Sequence, residues 1–139
     1  MFKKMLVATD GSERAMRACS EAGRMARALG SELTLLYVVY VPPLYTADIG
    51  PGIMAALVND GKRILDESKK MADASGIEAG TKLVREGDPA RMIVKEAEAG
   101  AHDLIVMGGS GLGRAGALAL GSVSNRVSHD SRCSVLIVK

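Results

Sequence analysis

The chain has 139 residues, of which 47% are hydrophobic, and its 18 Lys and Arg against 16 Asp and Glu give a formal charge of +2. This length suits one folded domain over residues 1–139, and the apolar content argues against a disordered chain. The charge is too small to indicate nucleic-acid binding, so no nucleic acid is expected as a partner.

The N-terminal stretch MFKKMLVATDGS carries two lysines ahead of a short apolar run that ends at Asp10. That run is shorter than the apolar part of a signal peptide, about 7–15 residues, and nothing later could span a bilayer. We therefore expect a cytoplasmic protein with no membrane association. The same run, KMLVAT (4–9), is the first predicted strand.

The first predicted helix covers residues 13–29, where small apolar residues recur at helical spacing, and Gly30 follows as a helix-ending glycine. Cys19 lies on the apolar stripe of this helix, and Cys133 opens the last apolar run. We interpret both cysteines as small buried apolar residues rather than as a disulfide or metal ligands.

A second strand is predicted at ELTLLYVV (32–39), a second helix over about 53–74 with its end near Gly76, and a third strand at EAGTKLVRE (78–86). Between the second strand and second helix lies YVPPLYTADIGPG (40–52), which holds three of the four prolines. A connection of this length either forms a lid or site wall, or is surface slack.

The third predicted helix begins in GDPARMIVKEAEAG, with Asp88 as its N-cap and Pro89 as its first residue. A fourth strand follows at DLIVMG (103–108), a fourth helix runs from Gly121-Ser122 to about Asp130, and a fifth strand is CSVLIVK (133–139). The first, fourth and fifth strands are nearly continuous apolar runs, which is typical of strands covered on both faces.

Strict alternation of strands and helices predicts a doubly wound α/β fold. We expect a five-stranded parallel sheet of order 3-2-1-4-5, with helices on both faces in a Rossmann-like arrangement. In such sheets ligands bind beyond the carboxyl ends of the strands where the strand order reverses, here between the first and fourth strands.

Six glycines gather at this same place, in VMGGSGLGRAGALALGSVSNRV (106–127): Gly108, Gly109, Gly111, Gly113, Gly116 and Gly121. Glycines allow positive φ and let backbone N–H groups approach an anion closely. Gly121-Ser122 opens a helix, whose N-terminus attracts phosphate. Ser122 either donates its hydroxyl to a phosphate or only caps its helix.

Two common nucleotide motifs do not account for these glycines. The chain has no G-x-x-x-x-G-K-[ST] run, which argues against a P-loop NTPase. Residues 111–116 fit G-x-G-x-x-G, but they follow the fourth strand, and no acidic residue ends the next strand. We therefore discount a dinucleotide site.

The spacing Gly108-x-x-Gly111, nine residues, then Gly121-Ser122 resembles the ATP-binding signature of the universal stress protein family. MLVATDGSERAMRA resembles the opening strand and loop of that family, and GSVSNRVSHDSRCSVLIVK its closing helix and strand, so the resemblance covers essentially the whole chain. Two positions depart from the family pattern. Ser134 stands where Pro is common, and Arg14-Ala15 stand where a small polar residue is common.

The resemblance implies a set of nucleotide-binding residues. Asp10 would lie at the nucleoside, unless it is only a turn residue, and Val38 would meet adenine through its backbone, unless it is ordinary core. Arg114 either pairs with the phosphates or is solvated. The residues that would hold ribose and phosphates are Gly108, Gly111, Gly121, Ser122, Val123 and Ser124.

The resemblance implies an ATP-binding regulator of a stress response. It would form a homodimer through the C-terminal strand and change state with bound nucleotide. Its protein partners are unknown from the sequence. The cofactor would be ATP, with or without Mg²⁺. The alternatives are a nucleotide-free dimeric interaction module and a slow ATPase.

No catalytic lysine is evident, and Asp10 is the one obvious carboxylate near the crevice. At most weak ATP hydrolysis is therefore expected, and no catalytic residue is assigned. We expect structural roles for His102 and His129 and no metal site.

Overall fold

Five parallel strands form one sheet in the order β3-β2-β1-β4-β5, which confirms the predicted order. The structure is a computed structural model that describes residues 1–109 and 121–139, the side chains of Thr46 and Ala47 excepted. The strands are β1 (Lys4–Ala8), β2 (Glu32–Val39), β3 (Thr81–Glu86), β4 (Leu104–Gly108) and β5 (Ser134–Val138). Gly111, Gly113, Arg114 and Gly116 lie outside the described residues.

Four helices connect the strands: α1 (Glu13–Leu29), α2 (Pro51–Asp73), α3 (Pro89–Ala99) and α4 (Ser122–Asp130). Their ends follow the sequence signals. Gly30 closes α1 in the left-handed region at φ 67°, and the Asp88 carboxylate caps α3 by accepting the Arg91 N–H at 3.0 Å. Within the described ranges, no helix has both the length and the apolar content needed to cross a membrane.

The connection over residues 40–52 is shorter and more regular than predicted. A 3-10 helix, Pro43–Asp48, occupies its middle, and α2 begins at residue 51 rather than 53 because Pro51 suits the first helical position. The third strand begins at Thr81 rather than 78. The Ala79 N–H is held by the Asp73 carboxylate at 2.8 Å, so the residues before Gly80 form the connection that follows α2 rather than part of the strand.

The sheet separates two apolar cores. Met5 and Val7 point to the face covered by α1 and α2, whereas Leu6 and Ala8 point to the face covered by α3 and α4. This alternation is the period of two that a strand imposes, and both faces are buried because each carries two helices. The expected helices on both faces are therefore confirmed.

The fifth strand is less covered than predicted. Ser134 is exposed, and the rest of β5 is only half-buried because β5 is an edge strand that pairs with β4 alone. Cys19 is fully buried, as expected for a small apolar residue. Cys133 is only half-buried, and its backbone N–H donates to Ser131 Oγ at 3.2 Å.

Candidate functional site

A cavity of about 520 Å³ opens beyond the carboxyl ends of β1 and β4, where the sheet order reverses. Its size is that of a small-molecule site, roughly 300–1,000 Å³. Every predicted site residue in the described part of the chain lines it: Asp10, Val38, Gly108, Gly121, Ser122, Val123 and Ser124. The remaining predicted residue, Gly111, lies outside the described residues.

The loop that follows β1 is held by a buried hydroxyl pair. Thr9 Oγ1 lies 3.0 Å from Ser68 Oγ on α2, and it also accepts the Gly11 N–H at 3.2 Å. Gly11 has φ 81° and packs against the side chain of Ile64, so a side chain at this position would be strained. The loop is therefore anchored to α2 as it enters the cavity.

Asp10 takes part in a turn and also forms part of the cavity wall. Its Oδ1 accepts the Ser12 N–H at 2.9 Å, which is the turn role considered for an Asp-Gly pair. The residue is nevertheless exposed and lines the cavity. The two interpretations of Asp10 are therefore compatible, because one carboxylate oxygen makes the turn bond and a carboxylate has further acceptor positions.

The backbone of Val38 faces a gap in the sheet. The Thr9 N–H donates to the Leu36 carbonyl at 2.9 Å, and Val38, two residues on, directs its backbone groups the same way. A continued ladder would bring the Gly11 N–H to the Val38 carbonyl, but that N–H donates to Thr9 Oγ1 instead. The Val38 carbonyl consequently has no ladder partner from β1 at the cavity edge.

The N-terminus of α4 is the polar end of the cavity. The N-cap is Gly121, at φ −64° and ψ 161°, so Ser122 is the first helical residue and does not cap the helix. The alternative of Ser122 as the cap is therefore wrong. Ser122 is exposed, whereas Ser124 is buried and donates its hydroxyl to the Gly121 carbonyl at 3.2 Å.

Three helix N-termini border the cavity, and two of them have side-chain caps. Ser12 Oγ accepts the Ala15 N–H at 3.2 Å in α1, and Asp88 caps α3. In α4, by contrast, no side chain of the described residues makes the capping bond. Within the described residues its first N–H groups therefore have no side-chain acceptor, and the positive end of its dipole favours an anion there.

Of the two properties that glycine offers, positive φ is not used by the described glycines of this stretch, Gly108, Gly109 and Gly121. Gly108 instead allows a close approach. A Cβ there would lie 2.8 Å from the Arg14 carbonyl carbon and 2.9 Å from the Ala15 N. Because Gly108 has no side chain, the first turn of α1 can pack against its backbone beside the cavity.

Some cavity residues were not predicted. Leu36, Ile93 and Met107 form part of its apolar wall, and Ser12 and Pro89 contribute from the starts of α1 and α3. The serine and proline carried a signal, since both mark helix starts. The apolar residues carried none, because core and pocket positions have the same composition.

Neither histidine lies in the cavity. His102 is buried just before β4, at the opposite edge of the sheet, and burial lowers its pKa, with the nearby Lys4 charge adding to the effect. His129 is exposed beside Asp130, with its Nδ1 3.6 Å from Oδ1 of that residue. Within residues 1–109 and 121–139, no three His, Cys, Asp or Glu side chains form a metal-binding group.

Comparison with known proteins gives a consistent match. The family model described as the universal stress protein family matches residues 1–139. Universal stress protein MJ0531 of Methanocaldococcus jannaschii is 36% identical over all of this chain and 83% of its own length, and YxiE of Bacillus subtilis is 35% identical over both full lengths. A solved universal stress protein in complex with cAMP has a TM-score of 0.81 at 27% identity and covers 99% of this chain and 97% of its own.

Proposed function

Because this chain belongs to the universal stress protein family, we propose that it binds an adenine nucleotide in the cavity and acts as a nucleotide-dependent switch in a stress response. The structural relative solved with cAMP supports an adenine nucleotide as the ligand class. ATP, with or without Mg²⁺, is the ligand we propose, since the glycine spacing resembles the ATP-binding signature.

The observation that carries this proposal is the distribution of donors and acceptors along the cavity. The N-terminus of α4, which no side chain of the described residues caps, supplies N–H donors at one end, and phosphate oxygens only accept hydrogen bonds. The Val38 carbonyl and apolar side chains such as Leu36 line the other part, and an adenine amino group is a donor on an apolar ring. A nucleotide fits both ends at once.

The residue roles follow from this orientation. The backbone N–H groups of Ser122, Val123 and Ser124 would bind phosphate oxygens, and the exposed Ser122 hydroxyl would donate one further bond. Gly121 leaves the approach open because it has no side chain. Asp10 would accept from the nucleoside, and the Ser124 hydroxyl, already bonded to Gly121, would only brace the turn.

Regulation suits this site better than catalysis. Phosphoryl transfer needs a base or a water-orienting group and usually a carboxylate that holds Mg²⁺. Asp10 is the one carboxylate lining the cavity in the described part of the chain, and one of its oxygens is bonded within the loop. Slow hydrolysis is the second candidate, supported by that same carboxylate.

The first experiment is to denature freshly purified protein and analyse the supernatant for adenine nucleotide by ion-exchange chromatography. We expect near-stoichiometric nucleotide. Empty protein whose melting temperature does not move with Mg-ATP would contradict the proposal and favour the nucleotide-free module. A ligand at one hundred times its Kd stabilises the fold by about 2.7 kcal/mol, a rise in Tm of roughly 5–10 °C.

Gly121→Val tests the phosphate end of the site. The φ and ψ of Gly121 are open to any residue, so valine would block the α4 N-terminus without straining the backbone. We expect the Tm shift with ATP to be lost and the Tm of the free protein to change little. Gly50→Val is the matched control, because Gly50 is also an N-cap glycine, at φ −79° and ψ 170°, with open space around it.

Dimerisation through β5 and a cytoplasmic location complete the proposal. β5 is an edge strand with half-buried apolar residues, and an unpaired apolar edge favours pairing with another chain. In a two-fold dimer formed through this edge, nucleotide binding in one copy could change the conformation of the neighbouring copy.

A further inference from the structure

Thr9 has a buried hydroxyl that makes two contacts just beyond the end of β1. The residue is 5% exposed and lines the cavity, and its Oγ1 lies 3.0 Å from Ser68 Oγ on α2. The same oxygen accepts the N–H of Gly11, two residues further along the chain, at 3.2 Å. This hydroxyl takes no part in the nucleotide contacts proposed for the cavity.

The contact with Gly11 decides where the ladder between β1 and β2 ends. The Thr9 N–H donates to the Leu36 carbonyl at 2.9 Å. The next bond of a parallel ladder would run from the Gly11 N–H to the Val38 carbonyl. Because Thr9 Oγ1 takes that N–H, the ladder stops one bond early, and the Val38 carbonyl has no partner from β1 where β2 borders the cavity.

Ser68 fixes the orientation of the Thr9 hydroxyl. Ser68 is fully buried, and its Oγ donates to Met16 Sδ at 3.6 Å, so the Ser68 oxygen can accept the proton of Thr9. A hydroxyl oxygen has two lone pairs, so Thr9 Oγ1 can donate to Ser68 and accept from Gly11 at once. Threonine is stiff at χ1, and the bond to α2 therefore holds Oγ1 within reach of the Gly11 N–H.

We propose that Thr9, held by Ser68, is a positioning residue that makes the cavity select a purine with an amino group, as in adenine, over one with a carbonyl there, as in hypoxanthine. This selection rests on the nucleotide binding proposed for the cavity. Thr9 keeps the Gly11 N–H away from the Val38 carbonyl, which can then accept from the amino group of adenine. A carbonyl on the base would instead bring two acceptors together, and a site whose polar group is left unpaired rejects such a ligand.

Thr9→Val tests this role by calorimetric titration of the full-length protein with ATP and with ITP, which differ in this group of the base. Any co-purified nucleotide is removed first. Valine has the shape of threonine without the hydroxyl, so the Gly11 N–H loses its acceptor and turns to the Val38 carbonyl. We expect wild type to prefer ATP by about tenfold in Kd, the effect of one well-made hydrogen bond, and Thr9→Val to prefer it by less than about threefold.

Two variants separate this role from a general loss of stability. Thr9→Ser keeps the hydroxyl and should keep the preference for ATP. Thr34→Val makes the same change at another buried threonine, which lies on β2 outside the cavity lining, and should keep the preference too. An equal preference in Thr9→Val and Thr34→Val overturns the positioning role, as does wild type that binds ATP and ITP equally. Wild type that binds neither overturns the proposed function, which is a distinct result.

Nuclear magnetic resonance of the ligand-free protein tests the hydrogen bond itself. A scalar coupling across a hydrogen bond joins an amide nitrogen to the carbonyl carbon of its acceptor. We expect this coupling between Gly11 and Val38 in Thr9→Val, and no such coupling in wild type or Thr9→Ser. Its absence from Thr9→Val, or its presence in wild type, overturns the role of Thr9 without reference to any ligand.

Discussion

Gly108 is a residue whose role differs from the one that its motif indicates. It lies in the nucleotide signature and lines the cavity, yet its immediate neighbours are backbone atoms of Arg14 and Ala15 at the start of α1. Backbone cannot move aside as a flexible side chain can. This glycine is therefore required for the fold even without a ligand.

Gly108→Ala is expected to destabilise the free protein by about 1–3 kcal/mol, the usual cost of overpacking. Gly109→Ala is the control, because a Cβ there meets its nearest atoms at an ordinary 3.5–3.8 Å. Urea denaturation without nucleotide measures both. Equal stability of the two variants would mean that ligand approach, not packing, requires the glycine.

His102 is a buried histidine that lies away from the cavity, just before β4. It is buried, and neither ring nitrogen has a partner in the described part of the chain. Burial, together with the Lys4 charge, lowers its pKa below the 6.5 of a free histidine. As the pH falls, the unfolded chain therefore binds a proton before the folded chain does, and the free energy of unfolding decreases.

His102→Leu should remove this part of the acid sensitivity. We expect its free energy of unfolding, relative to wild type, to rise progressively as the pH is lowered from about 7 to 5. His129→Leu is the matched control because the His129 side chain is 86% exposed. A parallel pH dependence in wild type and His102→Leu would contradict the prediction.

At the scale of elements, the two halves of α2 differ in burial. The second half packs on α1 and the sheet through a buried stripe, and Ser68 within it anchors the loop that enters the cavity. The first half, Pro51–Val58, contains no buried residue, and Met54, Leu57 and Val58 are only half-buried. One 23-residue helix thus joins the anchored loop of the site to an exposed apolar surface.

Alanine substitutions should separate the two halves of α2. Leu65 is only 2% exposed. Leu65→Ala is therefore expected to lower the free energy of unfolding by about 2–5 kcal/mol, the range found for buried leucines. Ile53→Ala should cost less than about 0.5 kcal/mol in the dissociated protein, as most exposed positions do. Urea denaturation at low protein concentration measures the stability of both variants. A large cost at Ile53 would show that the first half of α2, Pro51–Val58, is packed within one chain.

For the whole molecule, the edge at β5 decides whether copies can associate through the sheet. The Gly109 N–H donates to the Val138 carbonyl at 2.9 Å, so Val138 directs its backbone groups toward β4. Alternation along the strand then directs those of Leu136 the same way and those of Val135 outward. The outward groups are the ones that a second chain would use.

Val135→Pro should therefore reduce association while keeping the fold. Proline removes an N–H that faces away from β4, which an edge strand tolerates. Leu136→Pro removes an N–H that bonds to β4 and should unfold the protein. Circular dichroism and sedimentation distinguish the two variants, and undiminished association of a folded Val135→Pro would contradict pairing through the β5 backbone.

The candidate site was predictable to the extent that its residues sit at element ends. Asp10 follows the first strand and Gly121 opens the last helix, and the parallel topology brings those ends together whatever the intervening sequence. That the Val38 carbonyl has no ladder partner from β1 was not predictable from the residues, since it depends on which acceptor the Gly11 N–H bonds to. The close approach at Gly108 likewise depends on Arg14, which is distant in sequence.

The sequence by itself determined the elements and their order, because apolar periodicity and capping residues act over a few neighbouring positions. Strand–helix alternation then leaves few possible topologies, and the observed sheet is the one expected. Only the tertiary structure decided that no side chain of the described residues caps α4, that Thr9 is tied to Ser68, and that the buried residues of α2 all lie beyond residue 60. These features depend on distances between residues far apart in the chain, which local periodicity does not encode.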